Sequence, residues 1–400
     1  MATILIVGDA VAPTGFSRVL RQIFEPMHSM HTLYHLATNY TGDPHDYPWQ
    51  LYPAHLGGDR FGIARLPQLV EATQPDIVFA LADIWVQAQY MEVLRPYVSQ
   101  TQIMLYVPID GEPAQPEMLA QLDGAHAIYT FSDYSRAVLT QAAEATKQRP
   151  QRVQLPAIEV AELGVRTDVF YPPAGDSPDR PAARRNLFGD IAGIEDWFIV
   201  LNANRNQPRK RLDITMKGFA MFAADKPAKR VRLFLHAGNV DLGWDIGRMA
   251  ARLGIQDRLL LTTTDNEQPQ ITDEQLNMIY NACDVGLNTS VGESFGLVSL
   301  EHGATGAAQI VPAQTTPGQL WGEQAVQLEA SYTATSQATL FEEPLIAPET
   351  VAVALEQVYA DADYRAEMGS RARAFATAPR FDWRAISTQW RKRIDDWLAS

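Results

Sequence analysis

Two glutamates bracket a short segment that combines hydroxyl-bearing and small residues. The segment GESFGLVSLE occupies positions 292–301, with Glu293 near its start and Glu301 at its end. It follows the apolar run DVGLNTS, which predicts a strand, and its own pattern predicts the start of a helix. The first amides of a helix have no intrahelical acceptor and form a ready anion site, and Gly296 lets a ligand approach the backbone closely. The segment therefore has the chemistry to bind an anion between two carboxylates.

The spacing of the two acids suits different parts of one ligand. Glu301 lies about 9 Å along the helix axis from Phe295, at a rise of about 1.5 Å per residue. That is the distance from a diphosphate to the far side of a ribose, whose two hydroxyls a carboxylate can accept in hydrogen bonds. Glu293 lies where the hydroxyls of a sugar beyond the diphosphate are expected. The alternative is that both acids are solvated surface residues.

A basic loop follows another apolar run. RNQPRKR (205–211) comes directly after WFIVLNA, which predicts a strand, and it contains Arg205 and Lys210. A leaving diphosphate gains negative charge as a glycosidic bond breaks, so cations fixed beside it stabilise the transition state more than the ground state. The alternative is an ordinary solvated turn.

The elements that would position these residues alternate between short apolar runs and helical patterns. Near-continuous apolar strands alternating with helices are typical of parallel sheets covered on both faces. The pattern runs through the first half, is interrupted by the Pro-rich stretch 171–185, and then restarts, which predicts two doubly wound domains with ligands at the carboxyl ends of the strands. The predicted strands are 3–9, 76–82, 102–108, 125–131, 197–203, 232–238, 258–263 and 284–290.

Bulk properties exclude several classes of protein. The chain has 400 residues and a formal charge of -14, which argues against a nucleic-acid surface. Cys283 is the only cysteine, so an internal disulfide is excluded and a reducing, cytoplasmic location is favoured. No apolar stretch is long enough to predict a transmembrane segment. The Asp361-Ala-Asp363 sequence and the histidines His28, His31 and His35 are interpreted as parts of a helix and a strand, without a metal.

The segment GESFGLVSLEHGATG resembles the signature of the retaining glycosyltransferases of family 4, also called glycosyl transferases group 1. Other stretches agree with that family in order along the chain: TFSDYSRAVL, ELGVRTDVFYP, NANRNQPRKRLDITMKGFA and FDWRAISTQW. The resemblance implies an α/β GT-B fold, in which two Rossmann-like doubly wound parallel-sheet domains face a central cleft. It also implies a C-terminal helix that crosses back to the first domain. The expected limits are 1–175 for the acceptor-side domain, 176–378 for the nucleotide-sugar-binding domain and 379–400 for the helix.

The resemblance also implies roles for individual residues. Glu301 would bind the nucleotide ribose, while Arg205 and Lys210 would bind the diphosphate. Glu293 would hold the donor sugar, together with the backbone amides of the helix start. Those amides belong to the stretch Ser294, Phe295, Gly296 and Leu297. Gly15, in the loop DAVAPTGFS, would line the phosphates from the first domain.

One position departs from the family pattern. Many family members have a histidine after the strand that is QIMLYVP here, whereas this chain continues PIDGEP, so that Asp110 is the nearest polar equivalent. An aspartate there can accept a sugar hydroxyl or stabilise oxocarbenium-like charge. Alternatively, Asp-Gly simply forms a turn.

We therefore predict a retaining glycosyltransferase that moves a sugar from a nucleotide-diphosphate donor to a saccharide, protein or lipid-linked acceptor by front-face substitution. No cofactor or metal is expected. Two alternatives stay open: a sugar-nucleotide-binding scaffold with little catalytic activity, and a GT-B phosphorylase or epimerase.

Overall fold

The chain forms two compact units. The computed structural model describes residues 1–12, 14–55, 57–147, 153, 155–172, 179–337 and 339–399. One unit combines Met1–Gly164 with Trp383–Ser400, and the other contains Val165–Asp382. The predicted domain boundary between residues 175 and 176 lies outside the described residues, so the predicted domain limits stay predictions.

The first unit is built on a parallel sheet. Its strands are Thr3–Asp9 (β1), Thr32–Thr38 (β2), Gln50–Pro53 (β3), Ile77–Leu81 (β4), Gln102–Tyr106 (β5), Ala127–Thr130 (β6) and Ile158–Val160 (β7). Across the part of the chain that is described, they pair in the order β3-β2-β1-β4-β5-β6-β7, and every pair is parallel. Strands β2 and β3 lie on one side of β1, whereas β4 to β7 follow on its other side, so the strand order reverses between β1 and β4. The four strands predicted in this half are confirmed.

Helices cover this sheet and close its core. They are Gly15–Phe24 (α1), Arg65–Thr73 (α2), Ile84–Leu94 (α3), Pro116–Ala120 (α4) and Asp133–Thr146 (α5). All five residues of β4 are buried, as a central strand with helices on both faces requires. Ser132 caps α5, and its hydroxyl accepts a hydrogen bond from the backbone N–H of Ser135 at 3.1 Å. The hydroxyl of Ser132 therefore fixes the start of α5.

The second unit repeats the plan with a smaller parallel sheet. Its strands are Phe198–Asn202 (β8), Val231–Leu235 (β9), Leu259–Leu261 (β10), Val285–Leu287 (β11), Ala308–Pro312 (β12) and Val326–Leu328 (β13). Among the described residues they pair in the order β10-β9-β8-β11-β12-β13, all parallel. A separate antiparallel hairpin joins Tyr332–Thr335 (β14) to Glu342–Leu345 (β15). The four strands predicted here are confirmed.

Eight helices are described in the second unit. They are Arg180–Phe188 (α6), Leu212–Ala223 (α7), Ile246–Leu253 (α8), Asp273–Ala282 (α9), Leu297–Ala304 (α10), Thr315–Trp321 (α11), Pro348–Ala360 (α12) and Ala362–Ala376 (α13). Thr272 and Gln275 form a capping box at the start of α9. Asp361 caps α13 through a hydrogen bond from the backbone N–H of Tyr364. Cys283, at the end of α9, is buried, and this burial raises the pKa of its thiol.

The Pro-rich stretch 171–185 was expected to link the two domains, and this expectation needs a correction. Residues 173–178 lie outside the described residues, but the second half of the 171–185 stretch is the start of α6 rather than a linker. Asp179 caps this helix by accepting a hydrogen bond from the backbone N–H of Ala182 at 3.0 Å, and Pro181 fits in the first turn because the amide that it lacks would have no partner there. Pro181 and the charged residues around it therefore belong to the start of α6.

The C-terminal helix, Trp383–Ala399 (α14), belongs to the first unit. Its apolar stripe is buried, and the ring of Trp390 lies 4.8 Å from that of Tyr129 and 5.1 Å from that of Phe79. Arg393 donates a hydrogen bond to the carbonyl of Val160 at 3.2 Å. Each aromatic pair of this kind contributes about 0.5–1.5 kcal/mol beyond the buried area. The prediction that the helix returns to the first domain is confirmed.

Along the part of the chain that the structure describes, every helix is too short or too polar to cross a bilayer.

Candidate functional site

The predicted acidic and basic segments both lie at one point of the second sheet. β8 and β11 are neighbours, and the chain adds β9 and β10 on one side of them and β12 and β13 on the other. Open α/β sheets bind ligands at the carboxyl ends of strands where the order reverses in this way. Residues 203–211 follow β8 and residues 288–296 follow β11, so the two loops come together at the reversal point.

A hydrogen-bond network holds the two loops to each other. The backbone N–H of Val291 donates to the carbonyl of Arg209 at 2.9 Å. The hydroxyl of Thr289 contacts both the hydroxyl of Thr215 at 2.7 Å and the carbonyl of Lys210 at 3.2 Å. Asn202 donates to Thr215 at 2.9 Å and thereby ties this network to the end of β8. Because these polar groups are buried and paired, they fix the position of both loops.

The structure brings Lys210 and Glu293 into a buried ion pair. The Lys210 Nζ donates to a carboxylate oxygen of Glu293, and the two side chains are 8% and 11% exposed. Ser290 also donates to this carboxylate at 3.4 Å, while the guanidinium of Arg209 lies 3.9 Å from it. Burial by itself raises the pKa of Glu293, but the charges of Lys210 and Arg209 and the hydrogen bonds outweigh it, so the pKa lies below its usual value. Glu293 is therefore ionised at neutral pH.

This lowered pKa predicts a pH dependence of stability. The stabilisation from ionised Glu293 is fully present above the ordinary glutamate pKa, about 4.3, and is lost as pH falls through the lower folded-state pKa. Wild type should therefore exceed Glu293→Gln in free energy of unfolding at pH 7, by about 3–5 kcal/mol because the variant leaves Lys210 buried and unpaired. The difference should shrink below about pH 4. Urea unfolding at several pH values measures it, with the exposed Glu323→Gln as a control that shows little difference at any pH. A gap between wild type and Glu293→Gln that does not depend on pH would contradict the ionised pair.

The helix that follows begins without a side-chain cap. Gly296 precedes α10 with φ of 93°, a left-handed conformation that favours glycine, and among the described residues no side chain caps the first turn. Phe295 is buried against Phe381, with ring centroids 6.1 Å apart, whereas Ser294 and Leu297 are partly exposed. The first amides of α10 thus remain available to an anion, and the helix dipole adds to their attraction.

Glu301 lies in the second turn of α10 and is 4% exposed. Its carboxylate accepts a hydrogen bond from the hydroxyl of Tyr280 at 3.1 Å. The next residue, His302, stacks on the same tyrosine ring with centroids 5.2 Å apart, and burial lowers its pKa to about 3, so the imidazole is neutral. Tyr280 therefore fixes one oxygen of Glu301.

Arg205 and Lys210 pair with different carboxylates. Its guanidinium forms two hydrogen bonds to the carboxylate of Asp241, at 2.7 and 3.0 Å, in the loop after β9. Asn206 holds the same loop, since its amide donates to the carbonyl of Trp244 at 2.7 Å and accepts from the backbone N–H of that residue. The structure thus anchors Arg205 to the β9 side of the reversal point, whereas Lys210 pairs across to the loop after β11.

Gly15 and Asp110 lie in the first unit. Gly15 is the first residue of α1, whose cap Thr14 donates to the carboxylate of Asp9 at 2.7 Å and thereby ties the helix start to the end of β1. Asp110 is partly exposed and follows β5. The roles predicted for both residues stay predictions.

Metal-ligating side chains do not cluster in the residues that the structure describes. His35 lies in β2, as its sequence pattern predicts, and its Nε2 is 3.1 Å from the carbonyl oxygen of Gly8. Burial lowers the pKa of His35 to about 3.

Curated relatives of the chain are glycosyltransferases. It is 36% identical over 161 residues to D-inositol 3-phosphate glycosyltransferase of Geodermatophilus obscurus, covering 38% of this chain and 32% of the relative. It is 29% identical over 241 residues to the protein of that name from Streptomyces griseus, covering 57% of this chain and 49% of the relative. Over these stretches the chain resembles the family 4 glycosyltransferases. This confirms the predicted resemblance, although the chain spans about half the length of these relatives or less. No family profile matches it.

Solved structures agree with the fold. Sucrose-phosphate synthase from Thermosynechococcus elongatus superposes with a TM-score of 0.73 at 18% identity, covering 100% of both chains. HepE from Anabaena, solved in complex with UDP-glucose, superposes with a TM-score of 0.70 at 17% identity, covering 99% of this chain and 100% of the other. At this identity the likeness shows the fold alone, and together with the two parallel sheets it confirms the predicted GT-B class.

Some residues of this site carry no recognisable signal in the sequence. Asn202, Asn206, Thr215, Thr289 and Ser290 are all buried and hydrogen-bonded, yet none was predicted as a site residue. The available signal is the cluster of amides and hydroxyls directly after β8 and β11. Polar side chains at the carboxyl ends of two buried strands indicate loops that are fixed by hydrogen bonds.

Proposed function

We propose that the protein is a retaining glycosyltransferase that uses a nucleotide-diphosphate sugar as donor. The observation that carries this proposal is the geometry at the reversal point of the second sheet. There, the buried Lys210–Glu293 pair and the uncapped start of α10 come from adjacent loops. A cation beside free helix amides suits a diphosphate, and a fixed carboxylate suits sugar hydroxyls.

The donor would lie along the start of α10. The amides from Phe295 to Leu297 would accept the diphosphate, and Ser294 would contact it or the adjoining sugar. Glu301 would accept hydrogen bonds from both ribose hydroxyls, with its orientation fixed by Tyr280. Glu293 would accept sugar hydroxyls, and its lowered pKa keeps it an acceptor at neutral pH.

Catalysis would rest on charge rather than on proton transfer by the two glutamates. As the bond from the sugar to the diphosphate breaks, the leaving phosphate becomes more negative, and Lys210 and Arg205 would stabilise it. The leaving phosphate would accept the proton of the acceptor hydroxyl on the same face of the sugar, so that the configuration is retained. Asp110 and Gly15 would contribute from the first unit, Asp110 at the sugar and Gly15 at the phosphates. No step requires a metal ion.

The comparisons suggest which substrates to test first. UDP-glucose is the ligand in the solved Anabaena structure, and D-inositol 3-phosphate is in the names of the curated relatives. We propose a UDP-sugar as donor and a phosphorylated polyol or saccharide as acceptor; protein and lipid-linked acceptors are the alternatives.

A second function is favoured by two observations. Asp110 stands where the family resemblance implies a histidine, and Arg205 is engaged with Asp241 rather than placed beside Lys210. Both fit a protein that binds a sugar nucleotide without transferring the sugar. Slow hydrolysis of the donor separates the two functions, because only an enzyme releases free sugar.

A panel of nucleotide sugars tests the proposal by thermal shift. A ligand that binds only the folded state at 100 times its Kd adds about 2.7 kcal/mol to the apparent free energy of unfolding, so the correct donor raises the melting temperature. We expect UDP-sugars to raise it and the corresponding free sugars to leave it unchanged. If no nucleotide sugar in the panel changed the melting temperature at millimolar concentration, the proposed function would be wrong.

A further inference from the structure

The second unit contains a large cavity at the other edge of its sheet. The cavity has a volume of about 1110 Å³ and is lined by residues that include Trp197 and Asp284. These two residues directly precede β8 and β11, so the cavity lies at the amino ends of the strands. The proposed donor site lies at their carboxyl ends, which makes the cavity a separate place on the molecule.

Four arginines line this cavity, namely Arg180, Arg184, Arg365 and Arg373, and Arg184 is fully paired. Arg184 is 2% exposed, and its Nη2 donates to the carboxylate of Asp284 at 2.6 Å. Its Nε and Nη1 donate to the carbonyls of Ala282 and Glu195, both at 3.0 Å. Arg184 thus uses all its nitrogens on the protein and has a structural role.

Arg180 and Arg365 keep donors without acceptors among the described residues. Arg180 donates through Nη1 to carbonyls at the end of α9, but its buried Nη2 has no acceptor among the described residues. Arg365 donates through Nη1 to the carbonyls of Val358 and Tyr359, at 2.7 and 3.3 Å. The dipoles of two helix ends account for these Nη1 contacts. These helix dipoles do not satisfy the other guanidinium nitrogens of Arg180 and Arg365.

The cavity wall carries more positive than negative charge. Asp284 is shared between Arg184 and the backbone N–H of Ile199, which donates to it at 2.7 Å. Two other acids of the lining pair with arginines that do not line the cavity, since Glu195 contacts Arg185 at 3.1 Å and Asp196 contacts Arg230 at 3.6 Å. The lining therefore holds four guanidinium groups and three carboxylates, and each of these carboxylates is already in an ion pair.

The pKa of Arg180 agrees with this excess of positive charge. Burial lowers its pKa to about 10, and although Asp284 raises the pKa, the charges of Arg184 and Arg365 lower it again. A buried cation is costly unless it is paired and hydrogen-bonded, so a bound anion would stabilise this wall.

We propose that this cavity binds the phosphoryl group of a small phosphorylated molecule through Arg180 and Arg365. A guanidinium presents its donors in a planar fork that matches phosphate oxygens, and both arginines have nitrogens left for such contacts. The volume exceeds what a phosphate ion fills and matches that of pockets for whole metabolites. The rings of Tyr171 and Tyr359 also line the cavity and would contact the rest of the ligand. Because the site is separate from the donor site, the ligand would act as an effector.

Isothermal titration of the full chain with inorganic phosphate and with ribose 5-phosphate tests this proposal. Arg180→Gln and Arg365→Gln should each weaken binding of both probes by at least about tenfold, because each removes a charge-assisted contact. Arg252→Gln is the matched control: Arg252 is an exposed arginine of the same unit that does not line the cavity, and the variant should bind like wild type. If Arg180→Gln fails to fold, Arg365→Gln decides the question.

A second variant separates this site from the donor site. The double variant Lys210→Met/Glu293→Gln, altered only in the proposed donor site, should keep the wild-type affinity for phosphate. The proposal is overturned if that double variant loses phosphate binding while Arg365→Gln retains it, if all variants bind equally, or if wild type does not bind either probe at millimolar concentration. None of these results bears on donor binding, which the panel of nucleotide sugars measures separately.

Discussion

Replacing Glu301 with alanine is expected to weaken binding of the nucleotide-sugar donor by about a hundredfold or more. Its carboxylate would accept two charge-assisted hydrogen bonds from the ribose, each worth about 1.5–3 kcal/mol. Since about 1.4 kcal/mol corresponds to a factor of ten, their loss lies in that range. Calorimetric titration with the donor, or with the corresponding nucleoside diphosphate, measures the change. Both ligands should lose affinity equally, because the ribose is common to them.

Two variants separate this effect from a loss of folding. The hydroxyl of Tyr280 donates to Glu301, so Glu301→Ala leaves that buried hydroxyl without its acceptor and lowers stability by about 1–3 kcal/mol. Tyr280→Phe removes the hydroxyl but keeps the carboxylate, and it should bind the donor nearly as tightly as wild type. Glu323→Ala, on the exposed surface of the same unit, should change neither property. An unchanged nucleotide affinity in Glu301→Ala would show that the ribose assignment is wrong.

Several central strands of both sheets were predictable from the sequence, as was the edge strand β10, whereas the edges of the first sheet were not. β4 and β8 are buried along their whole length, so their apolar runs stand out. β3 and β7 have exposed or partly exposed residues in most positions, and β7 is only three residues long. A strand at the edge of a sheet has fewer apolar positions to fill, so periodicity cannot distinguish it from a loop.

Contacts between residues far apart in the sequence limited the prediction of the site. Two loops after neighbouring strands were expected to meet, because parallel strands end at the same edge. Sequence cannot give the choice of partner: Lys210 pairs with a residue 83 positions away, and Arg205 with one 36 positions away. Lys210 was expected at the diphosphate and Glu293 at the donor sugar, and the structure pairs the two side chains with each other. The spacing of Glu293 and Glu301 thus predicted which part of a ligand each would bind, but it did not predict that Lys210 neutralises Glu293.

The Lys210–Glu293 pair allows stability and catalysis to be separated. Each single variant, Lys210→Met or Glu293→Gln, removes one member of a buried ion pair and should lower the free energy of unfolding by about 3–5 kcal/mol. The double variant removes both charges. It should recover most of that loss, because uncharged side chains of similar volume can replace a buried pair at little cost. Chemical denaturation of wild type, the two single variants and the double variant gives the coupling energy between Lys210 and Glu293.

Turnover should not recover with stability. If Lys210 stabilises the charge on the leaving diphosphate, its removal should lower the turnover rate by about 10²–10³, as the loss of one preorganised donor does in other enzymes. The double variant is then as slow as Lys210→Met or slower, although it is folded, and donor hydrolysis measured at saturating nucleotide sugar shows this. A double variant that regained both stability and turnover would mean that Lys210 serves only to neutralise Glu293. The charge on the leaving group would then have to be met by the amides at the start of α10 and by Arg205, whose contact with Asp241 would have to open when the donor binds.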